Sequence, residues 1–287
     1  MGKPVYMVNG SKGGVGKSIF SMAMIHYLGR RGEKVLLIDA DTSNPDVGKA
    51  YNKIIETHYI NLDERDGWMD LVNRLAEQLD HAVVINTPAR SSEGVKLYGT
   101  LLTESLAEIT RDLVTLWVIN SQRDSLQLLK EYMDTVNTGT THVVRNLYHG
   151  PERKFELYNN SKIRTTLETQ GKTLNFPEVA DRISDQLHSE RLTIQKIIET
   201  APVGNRAEVN RWVKECAMVF DEVIALTSNR PSTRSTNAIQ VLRKRMISIV
   251  SLRNSAFATT TRYGRWLFCS VTTLIWQNRC QNGWRNL

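Results

Sequence analysis

The sequence predicts an α/β fold, a doubly wound and mostly parallel sheet, followed by a basic C-terminal tail. Short runs rich in Val, Ile and Leu are almost continuously apolar, as strands covered on both faces are. These runs alternate with longer stretches whose apolar residues recur at helical spacing, which is typical of doubly wound domains. The third observation is that residues 229–287 contain no Asp or Glu.

The elements follow from these patterns in chain order. Short apolar, β-rich runs, most of them almost continuously apolar, predict strands at 4–9, 34–40, 81–86, 113–120, 142–147 and 173–176. Helical periodicity predicts helices at 17–31, 67–79, 124–136, 152–170, 177–187 and 205–226. Gly32 is placed as the residue that ends the first helix, and Asp124 as the N-cap of the third.

The charge distribution divides the chain near residues 228–231. Residues 1–228 hold 27 Lys and Arg against 30 Asp and Glu, a net charge of −3, whereas residues 229–287 hold 10 Lys and Arg, a net charge of +10. We therefore predict a folded domain over 1–228 and a basic tail over 229–287. Three interpretations of the tail stay open: contact with DNA phosphates, contact with an anionic membrane surface, or a poorly ordered extension with no evolved role.

Composition excludes several classes of protein. The chain is 41% hydrophobic and 23% charged, as soluble globular proteins are. No apolar run approaches the roughly 18 residues of a membrane span. The N-terminus has no apolar signal core, which predicts an uncleaved, cytoplasmic protein. Cys216, Cys269 and Cys280 are odd in number and lack metal-ligand spacing, so they indicate neither a disulfide framework nor zinc.

A glycine-rich segment, VNGSKGGVGKS, joins the first predicted strand to the first helix. Glycines let backbone N–H groups approach phosphate oxygens, and the helix N-terminus adds positive potential. Lys17 can then reach the β- and γ-phosphates of a nucleotide, and the Ser18 hydroxyl can ligate Mg²⁺. Ser11 stands where the strict pattern G-x-x-x-x-G-K-[ST] has glycine.

The segment KGGVGKS resembles the deviant Walker A motif of the ParA/MinD ATPases, in which the position of Ser11 is often not glycine. The resemblance implies that Lys12 crosses a dimer interface to the partner's phosphates, so that ATP bridges a homodimer. A solvated loop lysine is the alternative for Lys12. The resemblance also implies a nucleotide-binding set, namely Gly13, Gly14, Val15, Gly16, Lys17, Ser18 and Ile19.

Two further strand ends carry polar residues. VLLIDADTSNPD places Asp39 and Asp41 at the carboxyl end of a strand, where ligands bind in open α/β sheets. The resemblance implies that Asp39 lies near Ser18 and the Mg²⁺ hydration shell, and that Asp41 positions the attacking water; two aspartates capping a turn are the alternative. Asn86 stands where the family has the acidic Walker B residue, and because it brings no negative charge we expect slow hydrolysis.

The base-binding residues rest on the resemblance. It implies that Asn146 reads the adenine edge and that the segment beginning at Pro177 closes over the base, which selects ATP over GTP. A turn role is the alternative for Asn146.

Several later segments, among them INTPARSS and WVINSQRDSLQLLKEYMD, resemble the StbB/TraL-like plasmid stability and conjugation proteins. This resemblance implies a cytoplasmic, dimerising Mg-ATPase that switches in plasmid partition or DNA transfer. It would contact DNA directly, on the nucleoid, or through a plasmid-encoded DNA-binding protein. Three alternatives stay open: a nucleotide-binding scaffold with little hydrolysis, a MinD-like positioning ATPase whose tail contacts the membrane, and a metabolic ATP-dependent ligase. An iron–sulfur reductase is excluded because residues 1–228 contain only Cys216.

Overall fold

A computed structural model of the chain describes residues 2–10, 12–89, 92–136 and 139–228. The predicted tail, 229–287, lies outside these residues, so its boundary and its role stay predictions. None of the helices in the described ranges combines the length and apolar character that a bilayer crossing requires.

The described chain forms a seven-stranded sheet in which every pairing is parallel. The strand order is β3-β2-β4-β1-β5-β6-β7. The carboxyl ends of all the strands therefore meet at one edge, which is where parallel sheets hold ligands. The strands are β1 Val5–Gly10, β2 Val35–Asp39, β3 Glu56–Tyr59, β4 Ala82–Asn86, β5 Leu113–Ile119, β6 Thr140–Asn146 and β7 Thr173–Phe176.

Helices cover both faces of the sheet, and successive strand residues point into two separate apolar cores. Tyr6 and Val8 pack on the face with α1, α2, α8, α9 and α10, whereas Val5 and Met7 pack on the face with α3 to α7. The α-helices are α1 Lys17–Arg30, α2 Asp46–Tyr51, α3 Arg65–Glu77, α4 Ser92–Glu108, α5 Arg123–Thr135, α6 Glu156–Asn159, α7 Lys162–Leu167, α8 Asp181–His188, α9 Ile194–Thr200 and α10 Val203–Ser228. Short 3₁₀ helices occupy Leu147–His149 and Glu152–Phe155.

The doubly wound α/β fold predicted from the sequence is confirmed, and its six predicted strands form within two residues of their predicted ends. Gly32 follows the last turn of α1 with a φ of 74°, as a glycine after a helix does. The sequence did not predict β3, α2, α4 or α9.

Three local predictions were wrong. Asp124 is not the N-cap of α5, because the helix begins at Arg123 and the Asn120 side chain accepts from the amide of Gln122 (3.0 Å). The predicted helix at 152–170 is broken into a 3₁₀ turn, α6 and α7, since Ser161 caps α7 by accepting from the Arg164 amide (3.2 Å). The helix predicted from residue 177 begins only at 181.

A buried arginine joins the segments at the opposite edge of the sheet. Arg111 is 4% exposed and donates to four backbone carbonyls, those of Lys3 (2.8 Å), Leu75 (2.8 Å), Gln78 (3.1 Å) and His81 (2.6 Å). Burial lowers the pKa of its guanidinium to about 10. The four carbonyls compensate for the desolvation of this cation.

Candidate nucleotide-binding site

The loop between β1 and α1 has the backbone conformation of an anion cradle. Gly14 and Gly16 have φ values of 76° and 101°, which L side chains rarely adopt. A Cβ on Gly16 would also lie 2.2 Å from the Nδ2 atom of Asn146. The N-cap of α1 carries no side-chain hydrogen bond, so the first amides of the helix remain available to an anion.

A pocket of about 400 Å³ lies over this cradle, at the carboxyl ends of the strands. It brings together most of the predicted site residues with others that the sequence did not indicate. Its lining consists of Gly13, Gly14, Gly16, Lys17, Ser18, Ile19, Asp41, Asn44, Asp46, Ala89, Asn146, Tyr148, Phe176, Pro177, Val179, Ser184 and His188. Of the predicted nucleotide-binding set, Val15 stands outside this lining, and its side chain is fully buried in the core.

Lys17 is the most strongly perturbed group of the cradle. Its side chain is only 7% exposed, and its ammonium donates to the backbone carbonyl of Lys12 (3.0 Å). Burial lowers the pKa of Lys17 to about 8, and the nearby charge of Asp41 opposes the change. A buried ammonium at the floor of an open pocket favours an anionic ligand, because the ligand would restore the solvation that burial removes.

Asp39 is fully buried at the end of β2. One carboxylate oxygen accepts from the Asn86 side-chain amide (2.9 Å) and from the Asp41 amide (3.3 Å), and the other accepts from the Gly48 amide of α2 (2.7 Å). Burial raises the pKa of Asp39, whereas these three donors act in the opposite direction. Asp41 is half-buried, lines the pocket and accepts from the Asn44 amide (3.2 Å).

The donors near the cradle are hard oxygen atoms, the type that Mg²⁺ prefers. Ser18 lines the pocket at the start of α1, and Asp39 is buried at the end of β2. Within the described ranges, no group of three or more His, Cys, Asp or Glu side chains could hold a metal ion. A serine hydroxyl and aspartate carboxylates are donors that fit a magnesium ion whose other ligands are phosphates and water.

Lys12 is not among the residues that line the pocket. Its ammonium forms an ion pair with the Asp124 carboxylate in the first turn of α5, and the two side chains are 41% and 59% exposed. Such exposed pairs contribute little to stability, typically about 0–1 kcal/mol. Lys12 is thus held on the surface by an interaction that a competing anion could replace at low cost.

Asn146 connects the cradle to the far side of the pocket. Its Nδ2 atom donates to the Val15 carbonyl (2.9 Å), and its Oδ1 atom accepts from the Tyr148 amide (3.1 Å). These bonds give Asn146 the structural role that the sequence left open, while Oδ1 keeps a second lone pair for a ligand. Pro177 lies across the pocket in a non-helical segment, where its carbonyl accepts from Trp212 (3.0 Å).

Several pocket residues were missed by sequence reasoning. Tyr148 is 55% exposed, and Phe176 and Val179 add apolar side chains to the lining of the pocket. Ser184 and His188 lie one turn apart on α8 and face the pocket, and burial lowers the pKa of His188 against the charges of Asp46 and Asp185. The i, i+4 spacing on an amphipathic helix was the available signal, but it does not reveal what the helix packs against.

Comparison with known proteins gives one family. The model of the CobQ/CobB/MinD/ParA nucleotide binding domain matches residues 6–156. Protein MobD of Acidithiobacillus ferrooxidans is 55% identical over 225 residues, which are 78% of this chain and 99% of MobD.

Two solved structures are similar at low identity. The MinD cell division protein of Aquifex aeolicus is 16% identical and covers 75% of this chain and 95% of its own, with a TM-score of 0.49. A Borrelia burgdorferi B31 protein described as a plasmid partition protein, bound to AMPPNP, is 15% identical and covers 77% of this chain and 99% of its own, with a TM-score of 0.46. The family match and the MobD relationship show that the chain belongs to the CobQ/CobB/MinD/ParA family of nucleotide-binding domains, which confirms the ParA/MinD resemblance of its KGGVGKS motif.

Proposed function

We propose that this chain is a slow, Mg-dependent ATPase that acts as a dimerising switch in plasmid partition, plasmid stability or conjugative DNA transfer. The observation that carries the proposal is the buried Lys17 ammonium beneath a glycine cradle whose helix amides are uncapped. This arrangement is built for a polyphosphate, and the pocket above it is large enough to hold a nucleotide.

Different residues have different roles in binding and hydrolysis. Lys17 and the amides of Gly13 to Ile19 bind the phosphates, and Asn146 and Pro177 hold the base. Ser18 would ligate Mg²⁺ directly and Asp39 would bind its water shell; the ion supplies neutralisation of charge on the β- and γ-phosphates. Asp41, which is half-buried and lines the pocket, positions the attacking water. Asn86, without a negative charge, makes turnover slow.

The position of Lys12 supports the proposed dimer. It does not line the pocket of its own chain, and its exposed ion pair with Asp124 is easily exchanged for the phosphates of a second subunit. Release of those phosphates after hydrolysis would return Lys12 to Asp124. ATP binding and dimer formation would then be coupled equilibria.

Two observations support a role with plasmid DNA. MobD is a 55% identical relative, and the StbB/TraL-like segments resemble plasmid stability and conjugation proteins. Residues 1–228 carry a net charge of −3, which does not favour a DNA-binding surface on the folded domain. We therefore infer contact with DNA through a plasmid-encoded DNA-binding protein, or through the basic tail, in the cytoplasm or on the nucleoid.

Calorimetry and light scattering test the proposal together. The wild type should bind Mg·ATP and change from monomer to dimer with ATP but not with ADP. Lys17→Ala should lose binding by about a hundredfold or more, because the phosphates lose their buried partner. Lys12→Ala should bind ATP and stay monomeric, while Lys53→Ala, an exposed lysine on the loop after α2, serves as the matched control. A wild type that takes up no nucleotide, or that remains a monomer with ATP, would refute the proposal.

A second candidate is a nucleotide-binding scaffold with little hydrolysis, and the observation that favours it is Asn86 at the end of β4. Phosphate release under single-turnover conditions separates the two candidates. An ATPase consumes its bound nucleotide within minutes to hours and is slowed by Asp41→Ala, whereas a scaffold retains intact ATP in both proteins. Truncation after residue 228, assayed with DNA and with anionic vesicles, would assign any contribution of the tail.

A further inference from the structure

We propose that Asn86 is a positioning residue that fixes the Asp39 carboxylate, so that β2 rather than β4 supplies the buried negative charge of the magnesium site. This inference rests on the proposed nucleotide-binding function. It gives Asn86 a positive role, where the sequence alone shows only the loss of an acidic residue.

The two side chains are brought together by strand register. Asp39 and Asn86 are paired residues at the last positions of β2 and β4. The exposed fractions of Asp39, Asn86 and Ser21 are 0%, 1% and 0%. Every polar atom in this group therefore needs a partner within the protein.

The hydrogen bonds fix which way the amide points. Asn86 donates from Nδ2 to Asp39 (2.9 Å), and its Oδ1 atom accepts from the Ser21 hydroxyl (3.1 Å) on α1. An ionised carboxylate only accepts, so the NH₂ group must face Asp39 and the carbonyl must face the serine. The hydrogen bonds are therefore donated in one direction, from Ser21 on α1 to Asn86 on β4 and from Asn86 to Asp39 on β2.

Asp39 depends on this donor. Its other partners are the amides of Asp41 (3.3 Å), just after β2, and of Gly48 (2.7 Å), in α2. The Asp41 contact is long, so Asn86 is the closest donor to that oxygen. A charge buried to this extent is stable only while such donors hold it.

An aspartate at position 86 would place a second carboxylate against Asp39. Two buried carboxylates in contact repel each other, and the donated hydrogen bond is lost at the same time. Counting charges alone predicts that Asn86→Asp strengthens magnesium binding. The geometry predicts the opposite, because the repulsion displaces Asp39 from the position that serves the metal's water shell.

The test compares four variants in two measurements, and steady-state kinetics are added for one of them. Thermal unfolding without nucleotide measures how much the contact between Asp39 and Asn86 stabilises the fold. The Mg²⁺ affinity at saturating ATPγS measures how much that contact contributes to metal binding. Asn86→Asp should lower the unfolding temperature by about 5–10 °C and the Mg²⁺ affinity by about tenfold or more. Asn73→Asp makes the same chemical change on the exposed face of α3 and should alter neither.

Two variants keep the test decisive if Asn86→Asp does not fold. The double exchange Asp39→Asn with Asn86→Asp restores one carboxylate and one amide, and it should recover most of the lost stability. Ser21→Ala removes the donor that orients the amide; it should lower Mg²⁺ affinity about two- to tenfold, the size of one hydrogen bond, and reduce kcat more than it changes the KM for ATP.

The outcomes separate this inference from the proposed function. Tighter Mg²⁺ binding by Asn86→Asp with unchanged stability, no recovery in the double exchange, or Ser21→Ala that binds Mg²⁺ like the wild type would each overturn the role of Asn86. A wild type that does not bind Mg·ATPγS would overturn the proposed function, while the unfolding temperatures would still decide whether the pair holds.

Discussion

Replacing Lys17 with methionine should remove nucleotide binding and make the empty protein more stable. Methionine retains the length of the side chain without the charge that burial disfavours. The pKa of Lys17 is lowered from 10.5 to about 8 by that burial. A shift of this size corresponds to about 3 kcal/mol between the charged lysine in the folded and unfolded chain.

The gain in stability from Lys17→Met should decrease as the pH rises. The unfolded chain holds the Lys17 proton up to about pH 10.5, whereas the folded chain releases it near pH 8. Between these values the unfolded state binds more protons, so the stability of the wild type rises with pH. The stability difference between the variant and the wild type should be about 3 kcal/mol near pH 7 and about half that near pH 9.5.

Urea denaturation at the two pH values measures this difference, with the slope of the free energy against urea as a check that both proteins unfold alike. Saturating Mg·ATP should reverse the order near pH 7, because only the wild type gains the binding free energy. The reasoning is refuted if the variant is no more stable than the wild type near pH 7, or if their difference is the same at both pH values.

Three further predictions concern the cradle, the sheet edge and the base wall. Gly16→Ala should weaken nucleotide binding by about a hundredfold, since its Cβ would collide with Asn146 and its φ is strained, whereas Gly29→Ala, inside α1, has open space and should bind normally in a fluorescence titration. Arg111→Met should lower the free energy of unfolding by about 3 kcal/mol through four unpaired carbonyls, and denaturant midpoints equal to the wild type would contradict this. Tyr148→Ala should weaken ATP binding about five- to tenfold while Tyr148→Phe leaves it unchanged, because stacking on a base needs the ring and not the hydroxyl; calorimetry that finds both variants equal to the wild type would exclude the contact.

The sequence predicted the six strands that contain buried apolar residues, including the edge strand β7, and it missed β3, in which no residue is buried. The central strands read as continuous apolar runs because helices pack on both sides of them. β3 reads Glu-Thr-His-Tyr at the edge of the sheet, where its side chains are partly exposed, so it carries no such pattern. The break in the predicted helix at 152–170 was signalled by Asn159-Asn160-Ser161, but the helical periodicity on either side concealed it.

The site likewise contains residues that a short segment of sequence predicts and residues that only the tertiary packing brings there. The cradle and Lys17 are encoded in one short segment, so sequence spacing was sufficient to predict them. The wall formed by Ser184 and His188 depends on how α8 packs against α1 and α2, which no local pattern records. The role of Asn86 depends on register between β2 and β4, which the sequence of either strand alone does not specify.

The two hydrogen bonds of Asn146 also bear on how quickly the protein exchanges its ligand. One side chain ties the Val15 carbonyl to the Tyr148 amide, so the floor and one wall of the pocket are held together before anything enters. A cavity already in its occupied shape is entered at a rate set mainly by diffusion and orientation. Differences in affinity between ATP, ADP and other nucleotides should therefore appear as different residence times, with arrival rates that are nearly the same.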